Sequence, residues 1–318
     1  MFQYRNAQAA SFMPAAWMVA SLVLFANERP AHAEPAIGQF EIKSLAAEPG
    51  EIEFQSQNAY SFGQPRLKTG IDENGDSVGD GNSVVRQRHA LEIEYGFTTT
   101  LKGRIGIEFE KERAEFEAGQ VGGTHYNALT LDEIGAELIW AAIPRDGDGM
   151  GLGFVVEYEQ PTSGDGPKHL IGGPIFEWAS GPWQATFNPL LVLHLGGERN
   201  ENGKPDEKID FSYTARVMYE ASRSVSWAVE AYGTIERLGA TGAPSDESEL
   251  FGDFNQHRIG PVVYWTMEME GMGRSPFRPI GKGGDDETPA MTIGLGVFQG
   301  LNANTPDTTI KLSYEAFF

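Results

Sequence analysis

The chain has 318 residues, 39 glycines, no cysteine and a formal net charge of −21. Without cysteine there is no disulfide framework, thiolate metal site, thiol nucleophile or lipid-bearing cysteine. The acidic excess argues against nucleic acid as a partner. No run of about 20 apolar residues occurs in the body of the chain to form a transmembrane helix.

At the N-terminus, Arg5 precedes an apolar stretch from Phe12 to Phe25, and Ala31-His32-Ala33 supplies a small-x-small cleavage pattern before Glu34. Residues 1–33 are therefore expected to be a secretory signal peptide. Residues 34–50 carry Phe40, Ile42 and Leu45 without a sustained period and are expected to form a lead-in segment.

From there period-2 alternation dominates, the mark of strands with one apolar and one polar face. Strands are predicted over Ile52–Phe62, Arg88–Tyr95, Leu101–Glu110, Leu131–Ala142, Gly151–Glu159 and His169–Ala179. Six more follow over Trp183–Leu195, Ile209–Tyr219, Val225–Glu236, Arg258–Glu268, Met291–Gln299 and Thr308–Phe318. Pro174, Pro189 and Pro261 fall inside strands, where each removes a ladder donor.

The last strand sets Ile310, Leu312, Tyr314, Ala316 and Phe318 on one parity, with Thr309, Lys311, Ser313 and Glu315 on the other. It resembles the C-terminal strand of bacterial outer-membrane β-barrels, in which a terminal Phe is the usual signal to the assembly machinery. The resemblance implies an all-β fold, an antiparallel up-and-down transmembrane β-barrel spanning residues 51–318 in the outer membrane. The strand count is about twelve, within roughly ten to fourteen, and an even number suits a single-chain bacterial barrel. Lipid and lipopolysaccharide become the expected surroundings, the barrel-assembly machinery a partner through Phe318, and residues 34–50 a periplasmic segment.

Such barrels alternate short periplasmic turns with long outer loops. The gaps 63–87, 111–130, 160–168, 196–208 and 237–257 are long, and 96–100, 143–150, 180–182 and 220–224 are shorter. The gap 269–290 breaks the rule with a polar Gly-Lys-Gly-Gly-Asp-Asp-Glu stretch. Tyr95, Trp178, Trp183, Tyr219, Trp227 and Phe318 lie near strand ends on the periplasmic side, as an interfacial aromatic girdle would.

With the apolar parity toward lipid, the charged parity lines the lumen. A turn around Thr98 predicts Glu94 opposite Lys102, Glu92 opposite Arg104 and Arg88 opposite Glu108. Glu137, Glu157, Glu159, Glu177 and Glu230 are also expected to point inward, with Arg216 and Arg258 as fewer basic partners. These are the candidate selectivity residues, and a net acidic lining would favour cations and neutral solutes. Two metal-ligand sets are candidates: His169, His194 and Asp210 on neighbouring strands, and Asp72, Asn74 and Asp76 in the first loop. No dedicated cofactor is expected. His89 and His257 are the candidates for a rim-site hydrolase, but no Gly-x-Ser-x-Gly elbow occurs and a non-enzyme is expected.

The stretch Leu91–Glu110, with Tyr95-Gly96-Phe97-Thr98 between two strands, resembles the strand–Tyr-Gly-Leu-Thr–strand unit of the MetA-pathway phenol-degradation family of outer-membrane transporters. Thr99-Thr100 stand where that family has Asp-Arg. The resemblance implies a passive channel for small organic compounds, aromatic ones among them, and supplies no substrate residues. The expected function is thus small-solute passage. The alternatives are a closed structural or adhesive barrel acting through acidic loops, and a rim-site hydrolase.

Overall fold

The computed structural model describes residues 40–63, 69–71, 77–79, 86–111, 128–145, 147–162, 167–196, 207–241, 255–269, 275, 289–302 and 304–318. The expected signal peptide, the loop residues Asp72, Asn74 and Asp76, and most of the 269–290 gap lie outside them.

The strands in chain order are β1 (Ile52–Phe62), β2 (Thr69–Ile71), β3 (Ser77–Gly79), β4 (Arg86–Gly96), β5 (Leu101–Lys111), β6 (Thr130–Ile143) and β7 (Gly149–Pro161). They continue as β8 (Lys168–Ser180), β9 (Trp183–Leu195), β10 (Ile209–Glu220), β11 (Val225–Ile235), β12 (Gln256–Glu268), β13 (Ala290–Gly300) and β14 (Thr308–Phe317). Twelve of them, β1 and β4–β14, form a closed antiparallel barrel in sequence order, sealed where β1 pairs with β14. The short β2–β3 ladder, within the first long gap, stands apart from it. Closure leaves no unpaired sheet edge, which a strand-built structure needs in hydrocarbon.

The sides of the wall are inverted relative to a soluble domain. Along β7, Phe154, Val156 and Tyr158 are exposed, whereas Glu157 and Glu159 are buried. Ile105 on β5 is 63% exposed and Glu230 on β11 is 0% exposed. An apolar outer belt around a charged interior is stable against lipid and costly against water. Trp178, Trp183, Tyr219 and Trp227 are all exposed at the short-turn end, where Trp183 packs on Tyr219 (ring centroids 4.9 Å) and Phe54 on Phe318 (6.0 Å).

The strand prolines are accommodated by pairing gaps. The β8–β9 ladder pairs Gly172 with Leu191 and Phe176 with Phe187, so that Pro174 and Pro189 face each other in the unpaired stretch between. Neither ring has an N–H to lose. Pro261 sits in a similar gap between the Ile259–Gln299 and Val262–Gly296 pairs.

One register expectation is corrected. Gly96 pairs with Lys102, Glu94 with Arg104, Ala90 with Glu108 and Arg88 with Glu110. The turn occupies Phe97–Thr100, with Phe97 N–H and Thr98 N–H both donating to the Leu101 carbonyl, and its centre at Thr99 instead of Thr98 slides β5 by two residues. A slip of two preserves which side chains face inward, so Glu94–Lys102 and Glu92–Arg104 still meet, on the diagonal.

Candidate functional site

The expected lead-in segment, residues 34–50, is described from Phe40 onward. Its described part, 40–49, lies within the barrel. It leaves the wall at the short-turn end, where Gly50 N–H donates to the Gly96 carbonyl (2.8 Å). It then runs up the lumen to Phe40, which packs on Tyr232 of β11 (ring centroids 5.3 Å) beneath the Arg258 guanidinium of β12 (4.9 Å). The wall makes room for it: a Cβ at Gly96 would overlap the Glu48 carbonyl oxygen, and Leu45 occupies the space a side chain at Gly153 would need.

Alternation within the segment sorts its side chains. Phe40, Ile42 and Leu45 join a buried apolar cluster with Ile171, Ile175, Val192, Tyr232 and Phe298 of the wall. Glu41 and Lys43 meet charge. Lys43 Nζ contacts Glu137 and donates to Glu157 (3.0 Å) and Glu41 (3.3 Å). Arg104 bonds Glu41 and reaches Glu94 (2.9 Å), Glu92 (3.3 Å) and Glu137 (3.7 Å). Lys102 pairs with Glu94 (2.9 Å) and touches Ser44 Oγ (3.4 Å). The segment's backbone is fixed as well: Asn188 accepts from Lys43 N–H (2.9 Å) and donates to its carbonyl (3.2 Å), and Glu177 accepts from Leu45 N–H (2.8 Å).

Burial opposes ionisation of Glu41, but Arg104, then Lys43 and Lys102, outweigh it and hold the carboxyl at about 2. Burial likewise works against the Lys43 ammonium, and Glu137, Glu157 and Glu41 keep it charged, well above its ordinary value. In both cases the charged form survives because opposite charges replace the lost water.

Every candidate lumen residue within the strands lies on the inner parity. Glu94–Lys102 and Glu92–Arg104 form ion pairs as diagonal contacts, whereas Arg88 pairs with Glu110 (3.4 Å) and not with Glu108. Glu108 is buried beside a narrow cavity that Glu92, Arg104, Glu133, Glu137, Glu157 and Glu159 also line. Arg216 lies directly across from Glu230. Glu230 accepts from Tyr232, Tyr264 and Lys311 (3.1 Å), a node at the β11 wall. Arg258 donates to Thr309 (3.2 Å) and to Gln256. Glu177 also takes Arg145 (3.2 Å).

Of the expected metal set, His169 and His194 are in ring contact (4.8 Å), and His194 Nε2 lies 3.0 Å from Asp210 Oδ2. His169 Nδ1 turns the other way, to Glu133 (3.3 Å) and Glu159 (3.4 Å). The hydrolase candidates are not brought together: His89 bonds Asn58 (2.6 Å) and His257 bonds the Tyr213 hydroxyl (3.0 Å) on different strands.

Sequence reasoning missed Phe40, Glu41 and Lys43 as lumen residues, Glu110 as the partner of Arg88, and the inward aromatics Tyr232 and Phe298. The visible signal was the apolar–charged alternation from Phe40 to Lys43, too short to be separated from a strand start.

No protein-family model matches the chain, and no curated protein matches it in sequence. Among solved structures it is similar to the COG4313 outer membrane channel from Pseudomonas putida, with 12% identity and a TM-score of 0.53 over 92% of this chain and 100% of that one. A NanC porin is similar at 7% identity and a TM-score of 0.47, over 83% of this chain and 98% of that one. At such identities the likeness concerns fold alone, and the first of the two carries it. With its apolar exterior, charged lumen and closed twelve-strand meander, the chain has the fold of an outer-membrane β-barrel.

Proposed function

We propose that the protein is a passive outer-membrane channel for small solutes whose lumen is closed at rest by residues 40–49. The observation that carries this reading is the placement of Phe40–Leu45 across the lumen, bonded to β5–β9 and packed on β11. Passage requires this segment to shift. Its withdrawal would leave a path with carboxylates on one side and Tyr232, Tyr264 and Phe298 on the other. Such a path suits small organic compounds, aromatic ones included, in line with the resemblance around Tyr95–Thr98. Carboxylates outnumber basic groups on the inner wall, which favours cations over anions. The protein performs no chemistry in this account, and its surroundings are lipid, lipopolysaccharide and the assembly machinery that receives the Phe318 strand.

A second reading, a permanently closed structural barrel, draws on the same buried ion pairs, because they hold the segment tightly. Planar-bilayer recordings of the full chain and of a variant lacking residues 34–49 separate the two. The channel reading expects rare or small openings from the full chain and steady, cation-preferring conductance from the deletion. Two closed proteins with intact heat-modifiable folding would establish the structural reading instead, and anion preference would remove the selectivity argument.

A further inference from the structure

We propose that Glu133, Glu159 and His169 form a binding site for a divalent transition-metal ion of the zinc class, at the outer end of the lumen wall. The three lie on the adjacent strands β6, β7 and β8, all buried and all on the inner parity. Their ligand atoms lie within 4.8 Å of one another. His169 Nδ1 is 3.3 Å from Glu133 Oε1 and 3.4 Å from Glu159 Oε2. Metal–ligand bonds of about 2.0–2.1 Å in a tetrahedron place neighbouring ligand atoms about 3.3 Å apart. Two of the three edges already have that spacing, and the two carboxylates, at most 4.8 Å apart, would close the third on an ion.

The second observation is an unmet need at the same place. Among the described residues, both Glu133 carboxylate oxygens and Glu159 Oε2 are buried and accept no hydrogen bond. Glu133 is only 1% exposed. The neighbouring cations are engaged elsewhere: Arg104, which lines the same cavity, by Glu41, Glu92 and Glu94, and Lys43 by Glu137, Glu157 and Glu41. Two desolvated carboxylates that share a single imidazole are costly, and a divalent ion among the three answers both at once.

The donor set selects the ion. One imidazole and two carboxylates suit zinc, manganese, cobalt or nickel, whereas calcium asks for six or more oxygens. Three protein ligands leave a coordination position open toward the lumen for water or a passing solute. His194 acts as a positioning residue. Its ring packs edge-on against His169 and is anchored through Nε2 to Asp210, whose other oxygen accepts from Arg237 N–H (2.8 Å). The site does not depend on whether the barrel conducts.

The test uses the full-length barrel, purified in detergent and freed of metal. Zinc is titrated by calorimetry, and cobalt is titrated by its visible absorption, whose intensity reports tetrahedral coordination. The expected result is one ion per chain with an intense tetrahedral cobalt band. Glu133→Gln and His169→Ala should each weaken binding by at least about 100-fold. His194→Ala should weaken it by about 10-fold while keeping the band shape. Heat-modifiable migration shows that each variant is folded, and Glu133→Gln, which keeps size and shape, guards against a loss of binding through misfolding. Absence of binding to the folded protein at micromolar metal would overturn the proposal. So would binding that survives Glu133→Gln, since the ion would then belong to the acidic loops.

Discussion

The two sides of the lumen hold the same short segment by different means. On the β4–β7 side, Arg104, Glu137 and Glu157 grip Glu41 and Lys43 through directed ion pairs. On the β8–β13 side, Ile175, Val192, Tyr232 and Phe298 receive Phe40 and Ile42 by packing, and the directed contacts, from Asn188 and Glu177, go to the segment's backbone and not to its charges. The first kind of grip fixes register, because a buried charge displaced by one residue loses its partner. The second kind seals, because close-packed apolar groups leave no space for water. A plug with only the charged grip would leak, and one with only the apolar grip would slide.

The largest expected effect breaks both sides at once. Gly96→Leu places a side chain where the Glu48 carbonyl lies, at the point where the segment enters the lumen. The segment should lose its dock, and bilayer conductance should approach that of the 34–49 deletion.

Lys43→Ala breaks the charged side alone. It leaves Glu137 and Glu157 without the cation they share. Removing one member of a buried charge set costs about 3–5 kcal/mol, so the closed state should weaken by at least roughly 100-fold. Single-channel open probability measures this. Phe40→Ala breaks the apolar side. Emptying the space beside Tyr232 costs about 3 kcal/mol, near 100-fold in the closing equilibrium, and should raise leakage of small uncharged solutes in liposome swelling.

The smallest effect sharpens the comparison through pH. The Glu41 carboxyl is held at about 2, below its ordinary 4.5, when the segment is docked. The docked state therefore binds fewer protons than the released one. Its contribution to closure is complete above pH 4.5 and fades as pH falls toward 2. Open probability should rise on acidification through that window, and Glu41→Gln should flatten the rise. An equally steep acid response in that variant would move the effect to wall carboxylates.

The strands were legible because alternation survives in sequence whichever way the wall faces. Tyr158 and Glu159 declare opposite sides without any knowledge of lipid. Inner parity was equally legible for the charged residues, Glu230 and Arg258 among them, which are buried. Register was not, since a hairpin centred on Thr99 instead of Thr98 changed Arg88's partner from Glu108 to Glu110 and left every facing intact. The plug was illegible for another reason. Phe40, Glu41, Ile42 and Lys43 match surfaces contributed by strands up to about 250 residues away in the chain, and only closure of the barrel brings those surfaces round them. The proposed metal cluster mixes both cases. The inward facing of Glu133, Glu159 and His169 could be read strand by strand, but their meeting required the registers of β6–β8.

The central claim is that residues 40–49 close the lumen and must move for solutes to pass. Leu45 packs against Gly151 and Gly153 of β7, and the chain has no cysteine to interfere. Leu45→Cys combined with Gly151→Cys therefore allows a disulfide from segment to wall. The account predicts that the oxidised pair forms in the folded barrel and abolishes openings, and that reduction with a thiol restores them in the same membrane. Failure of the cross-link in the folded barrel, or equal conductance before and after reduction, would contradict it.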